Sequence, residues 1–348
     1  MSVHPGPGSP RSNFLTVALI LGMIALPAAL TLRTVNVSAV VDVKAPNPSP
    51  HGYTVSLLLF LVPILVIGGW LVPQDSVKIS KKSLLRTLAL LFPLGVLLDF
   101  FFAHLFLKFP NPNATLGIPA PALGDSGLKH IFVGTPGHVI IGSVPLEEYV
   151  FYFTGFVCVL LLYIWLDEYW LNAYSIGQHD PQRTNFQRLL RFHPASLLLA
   201  VALIAAAIAY RRFFAPNPPG FPGYFTFLVA SALGPSAALF PEALPVINWR
   251  AFSLTLFVLL LTSLLWEATL GVPYGWWDYQ PTQMMGLNIT AWNHLPIEAV
   301  CVWIAVTYTT VIVYEIVKRW QSSGRKARHA FLGEVKHPSL KSSPPPAR

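Results

Sequence analysis

The chain has 348 residues, of which 54% are hydrophobic and only 11% charged, and it carries a net charge of +8. So apolar a composition, with a mean hydropathy of +0.56, excludes an array of two or three soluble domains and reads as an all-α, polytopic membrane protein. The basic surplus is a topology signal, because no nucleic-acid-binding module accompanies it.

Eight apolar runs come near the roughly 20 residues that cross about 30 Å of hydrocarbon. They are Phe14–Thr31, Val55–Val72, Leu84–Leu107, Pro145–Leu166, Pro194–Tyr210, Tyr224–Phe240, Phe252–Leu270 and Pro296–Val317. The first has a signal-peptide look, with Arg11 ahead of it and small residues at Ala28 and Ala29, but seven further runs already require insertion, so it reads as an anchor. Gly234 and Pro235 interrupt the sixth, the weakest of the set. With the N-terminus inside, 17 Lys and Arg fall on the inner side and 6 outside, which places both termini in the cytoplasm of a bacterial-type membrane. Arg211 and Arg212 lie on the unfavoured side. Cys158 and Cys301, each inside an apolar run without CxxC spacing, read as small buried hydrophobes.

In chain order, residues 1–53 form a lead, the first helix and an outer loop; 54–170 a first three-helix unit; 171–222 a cytoplasmic linker with an extra helix; 223–320 a second three-helix unit; and 321–348 a basic tail expected to be disordered. The third run climbs to an acid, Asp99, followed by Phe100-Phe101-Phe102-Ala103-His104. A long loop, Lys108–Val144, then leads to Pro145-Leu146-Glu147-Glu148-Tyr149, where two carboxylates open the fourth helix. Acids at that depth cost roughly 2.5 to 3.5 kcal/mol at a helix centre and mark a functional site by default. Trp165, Asp167, Glu168, Tyr169 and Trp170 close that helix as an interfacial belt.

The pattern then recurs. Leu264-Leu265-Trp266-Glu267 answers Leu97-Leu98-Asp99, Pro281 and Gly286 answer Pro112 and Gly117, and Leu295-Pro296-Ile297-Glu298 answers Val144-Pro145-Leu146-Glu147. Acid to glycine is 19 residues in the second unit and 18 in the first, while glycine to proline is 10 and 28, so one insertion separates them. Both units run the same way through the membrane, which predicts two parallel three-helix repeats plus two extra helices, meeting at a shared acidic site. Glu147 and Glu148 lie about 100° apart on a helix, and the repeat favours Glu147 as the inward one.

An acid held among apolar and aromatic groups, with a second carboxylate nearby, keeps its proton near neutrality. It can protonate an unactivated double bond if ring faces shelter the cation that results, and Trp266, Trp276, Trp277, Tyr279 and Trp292 cluster in the second unit. On Asp99, the Pro145–Tyr149 motif, Glu267, Gly275–Tyr279 and Pro296-Ile297-Glu298, the chain resembles the membrane-embedded lycopene cyclases, over about residues 54–170 and 223–320. Ala299 stands where the second acid of the repeated motif would be. The resemblance implies an intramolecular lyase or isomerase that closes ionone rings on a polyene without redox change. Glu147 and Glu148, or Glu298, would then be the proton donor and its partner, and Asp99 and Glu267 supporting acids. Tyr149, Trp266, Trp276, Trp277, Tyr279 and Trp292 would line the substrate. No cofactor or metal is expected, and no dinucleotide-binding glycine motif occurs. The expected partners are a carotenoid or other isoprenoid and the lipid bilayer, with no nucleic acid; a homo-oligomer is compatible with this.

Two other readings stand beside it. One is a carotenoid- or lipid-binding or transporting protein whose acids only complement a helix dipole. The other is an intramembrane prenyl-protein peptidase, whose EExxxR and FxxxH elements Glu147-Glu148 and Phe100–His104 resemble, although Tyr152 replaces the arginine and the order is reversed.

Overall fold

The computed structural model describes residues 22, 49–75, 78–124, 141–177, 180–292 and 294–333. The run Phe14–Thr31, apart from Gly22, therefore lies outside the described residues, as do 125–140 of the long loop and 334–348 of the tail.

Among the described residues seven helices are long and apolar enough to cross a membrane. They are α1 (Gly52–Leu71), α2 (Lys78–Phe106), α3 (Leu146–Trp165, continued by a π turn to Trp170), α4 (Pro194–Phe213), α5 (Gly223–Ala243), α6 (Trp249–Trp266, continued by a π turn to Gly271) and α7 (Glu298–Ser322). The chain is thus a mostly helical, multi-pass membrane protein. Local chemistry marks the helix starts. Pro194 occupies the first turn of α4, where its missing N–H costs nothing, and the Asn248 side chain caps α6 by accepting from Ala251 N at 3.2 Å. Gly234 and Pro235 do not interrupt α5, which runs unbroken through them and Pro241. Neighbouring helices make such breakers tolerable in a membrane.

α3 and α7 form the centre and pack on each other. α3 also meets α1, α2 and α6; α7 also meets α2, α5 and α6; α4 lies against α5. Three two-stranded pairs gather at the end where α2 and α6 finish and α3 and α7 begin. There β1 (Leu107–Lys108) pairs with β4 (Asp278–Tyr279), β2 (Pro119–Leu123) with β3 (Ile141–Pro145), and β5 (Asn288–Ile289) with β6 (Leu295–Pro296). Pro145 and Pro296 are the last residues of strands, so the helices they were expected to open start after them, at Leu146 and Glu298.

The opposite end is an ionic lock. Arg183 reaches Glu315 at 2.7 Å, Lys318 reaches Asp167 at 3.2 Å and Glu168 at 3.0 Å, and Arg319 reaches Glu242 at 2.9 Å. Tyr163 donates to Glu315 and Asn248 to Asp167. This corrects two expectations. Asp167 is a buried ion-pair partner of Lys318, not an interfacial belt residue. Nor is the chain from 321 to 333 disordered: Ala327–Leu332 is helical, and the carbonyls of Ala330 and Phe331 accept from Leu189 N and Leu190 N. Satisfying those backbone groups, together with Trp320 against Phe331, holds the segment down.

Burial disfavours the charge of Arg183, but the Glu315 carboxylate more than offsets this and raises its pKa above the ordinary arginine value. Breaking a buried pair on one side costs about 3–5 kcal/mol. Arg183→Met should therefore destabilise the protein by about that much, and adding Glu315→Leu should recover most of the loss, as read by thermal unfolding in detergent.

Candidate active site

The acid end is built from the first turns of α1, α3, α5 and α7 and the last turns of α2 and α6. Glu147 and Glu298 both turn toward loops. Glu147 accepts from Leu116 N at 2.7 Å and Thr54 Oγ1 at 2.5 Å, and Glu298 accepts from Met285 N at 2.5 Å. In each case the backbone donor immediately precedes a glycine in the left-handed region, Gly117 (φ 72°) or Gly286 (φ 86°). Two residues beyond the glycine the chain pairs with the proline of the motif, Pro119 with Pro145 and Asn288 with Pro296. Leu146 N then bonds to Ile118 O, and Ile297 N to Leu287 O. The same clamp is made twice. The second oxygen of each glutamate is buried without a partner among the described residues.

Glu148 faces elsewhere, one step of about 100° around the helix. It accepts from the Tyr53 hydroxyl at 2.9 Å and lines a chamber of about 30 Å³, across which lies Glu267. Glu267 begins the π turn that continues α6, a distortion often found at functional sites. It accepts from Trp303 Nε1 at 3.3 Å and from the Tyr279 hydroxyl. Burial, reinforced by the Glu267 carboxylate, pushes the Tyr279 phenol well above its ordinary pKa, so Tyr279 remains a donor. The chamber walls are aromatic: Trp266 and Trp277 have ring centroids 4.6 Å apart, Tyr53 and Trp277 5.2 Å, and Phe151 and Trp266 5.3 Å.

Beside the chamber runs an apolar groove of about 490 Å³ between α2, α5 and α7. Phe102, Phe106, Phe156 and Phe227 line it, Asp99 is its acid, and it opens past the exposed Leu94. Groove and chamber share four wall residues, Leu107, Tyr152, Tyr224 and Val302. Glu148 is within electrostatic reach of both Asp99 and Glu267. Asp99, Glu147, Glu148, Glu267 and Glu298 are all at most 5% exposed, and none is in an ion pair among the described residues.

The aromatic candidates divide. Trp266, Trp277 and Tyr279 line the chamber. Trp276 is fully buried behind them and donates to Ser49 Oγ at 2.8 Å. Tyr149 donates to Pro121 O at 2.6 Å and stands beside Asp99 in a narrow cleft. Trp292 is 42% exposed and lines neither cavity. Tyr53, Phe151, Tyr152, Tyr224 and Trp303 are site residues that the sequence reading passed over. A signal for two of them exists, since Gly52-Tyr53 and Gly223-Tyr224 open the first helix of each unit. Gly52 allows a close approach: a Cβ there would lie 2.6 Å from the Trp276 ring.

Arg211, on the unfavoured side for a cation, is buried at this end and donates to the carbonyls of Pro218 and Pro281. It thus ties down the second clamp loop near Glu298. No group of three or more His, Cys, Asp and Glu suited to a metal ion occurs among the described residues. Comparison with protein-family models, curated proteins and solved structures finds no match to this chain.

The clamps make a graded prediction. A side chain in the left-handed region costs about 1–2 kcal/mol. Gly117→Ala, with open space around its Cβ, should lose no more than that. Gly286→Ala, whose Cβ would lie 2.7 Å from Arg211 and 2.8 Å from Ala215, should lose distinctly more on thermal unfolding.

Proposed function

We propose that this protein is a carotenoid cyclase of the lycopene type, closing a ring on the end of a polyene by redox-neutral acid catalysis within the membrane. One observation carries the reading. Glu148 and Glu267, buried and in no ion pair among the described residues, line an aromatic-walled chamber that shares tyrosine walls with an apolar groove carrying Asp99. The groove volume of about 490 Å³ is in the range of small-molecule sites.

In the proposed reaction a carboxylic acid of the Asp99, Glu148 and Glu267 set gives its proton to the terminal alkene, leaving a tertiary cation. The next double bond closes on that cation. A carboxylate then removes a neighbouring proton, restoring an alkene and the acid. The rings of Phe102, Phe106 and Phe227 suit the cationic stages, because an aromatic face attracts positive charge and does not trap it. Nothing in the sequence requires an oxidant, a reductant or a metal.

The reading includes an architecture of two parallel three-helix repeats, residues 54–170 and 223–320, with two extra helices. The matching clamps support it, as does the identical register of Pro119 on Pro145 and Asn288 on Pro296. Both termini are placed in the cytoplasm by the charge asymmetry, with the ionic lock on the inner side and the acids toward the outer leaflet.

Expression in a lycopene-accumulating bacterium, with chromatography of the pigments, tests the proposal. The wild type should yield ring-bearing products. Replacing Asp99, Glu148 and Glu267 together by their amides should reduce ring formation at least about 100-fold, the lower range for general-acid catalysis, with insertion retained. Lycopene bound but unaltered by the wild type would instead identify a binding or transport protein.

A further inference from the structure

The two cavities differ in size in a way that bears on where the chemistry occurs. On a measure by which one water needs roughly 10–15 Å³, the chamber between Glu148 and Glu267 offers about 30 Å³ and the groove about 490 Å³. The chamber has room for a water or two and none for a six-membered ring with its methyl groups. Trp266 Nε1, a buried donor without a partner among the described residues, belongs to a chamber-wall residue, which suits water.

Between the cavities stand Tyr152 and Tyr224, which line both. Tyr224 is held in place by Phe106, with centroids 4.7 Å apart. Tyr152 lies one helical turn from Glu148 on the same face of α3 and within electrostatic reach of both Glu148 and Asp99. On the groove side of this pair the acid is Asp99, 5% exposed, with Oδ2 buried and lacking a partner among the described residues.

We infer that Tyr152 and Tyr224 form a neck that stops the polyene end in the groove against Asp99, which delivers the proton, while Glu148 and Glu267 act from behind the neck as positioning residues. The inference rests on the cyclase reading and names which acid of that site touches substrate. The O–H bond of Asp99 and the π bond of the terminal alkene break as a C–H bond forms at that alkene's less substituted carbon, leaving a carboxylate and a tertiary cation on the other carbon. Ring closure forms one C–C bond and moves the charge onto the ring. Loss of the neighbouring ring proton to the Asp99 carboxylate regenerates both the alkene and the acid. Glu148, through the Tyr152 and Tyr224 hydroxyls, fixes the polarity and position of the neck during this cycle.

The test uses the full chain in isolated membranes with added lycopene, following ring formation by chromatography and bound pigment by its visible absorption. Asp99→Asn should abolish turnover, at least about 100-fold, while still binding pigment, and Asp99→Glu should restore a measurable part. Glu148→Gln should lower kcat about tenfold at unchanged KM. Tyr152→Phe should lower it similarly, and the double variant should be no worse than either alone, because residues acting through one contact are not additive. Asp99→Asn that keeps a tenth or more of the activity while Glu148→Gln or Glu267→Gln abolishes it would place the chemistry inside the chamber and overturn the inference, leaving the cyclase reading intact. A wild type that binds lycopene and makes no ring would remove both.

Discussion

Carboxylates removed from water without a cation to meet them are among the costliest things a membrane protein can hold, and the acid end is arranged around them. Tyr53, Thr54, Tyr279, Trp303, Leu116 N and Met285 N all spend their donors on Glu147, Glu148, Glu267 or Glu298. The three short strand pairs and the left-handed glycines exist where those donors have to be presented. At the other end of the bundle the same helices solve the problem differently, by matching Asp167, Glu168, Glu242 and Glu315 with Lys318, Arg319 and Arg183. One end is compensated by ion pairs; at the other the glutamates accept from neutral donors, with the buried Arg211 in electrostatic reach of Glu298. Only the second kind leaves acids that can exchange a proton without breaking an ion pair.

That contrast explains why two kinds of glutamate occur in one motif. Glu147 and Glu298 are structural in position, since each closes a loop with a backbone N–H. Glu148 and Glu267 accept from tyrosine and tryptophan side chains that also form chamber walls. A loop clamp fixes the mouth of the helix, so the next residue along, Glu148, is delivered to the chamber with little freedom. The motif then needs both acids for different reasons, and Ala299 in the second unit keeps the clamp while giving up the chamber acid.

Much of this was legible in the sequence. Seven of the eight expected spans are helices of the expected length, because an apolar run near 20 residues has few other ways to satisfy its backbone in lipid. The eighth, Phe14–Thr31, lies outside the described residues save Gly22. The buried acids were conspicuous for the same reason. What was not legible depends on helix phase and on long-range partners. A single residue separates Glu147 from Glu148, and spacing alone does not say which of them a neighbouring loop will capture. Asp167 looked interfacial because its partner, Lys318, is 151 residues away in sequence. The fold of 321–333 onto Leu189 and Leu190 is made by backbone groups, which carry no sequence signature.

The two halves proposed as repeats differ at the chamber acid. On the repeat reading, a twofold arrangement of identical units would place a Glu148 equivalent in both, and one more buried charge would then need donors that the chamber walls do not supply. Ala299, fully buried where that second acid would be, removes the demand. Tyr53 and Tyr224 show the consequence, since they occupy matching positions after Gly52 and Gly223 but serve different partners. Tyr53 donates to Glu148, whereas Tyr224, together with Tyr152, is part of the wall between chamber and groove. On that reading, one chamber carboxylate in place of two gives the paired tyrosines different work.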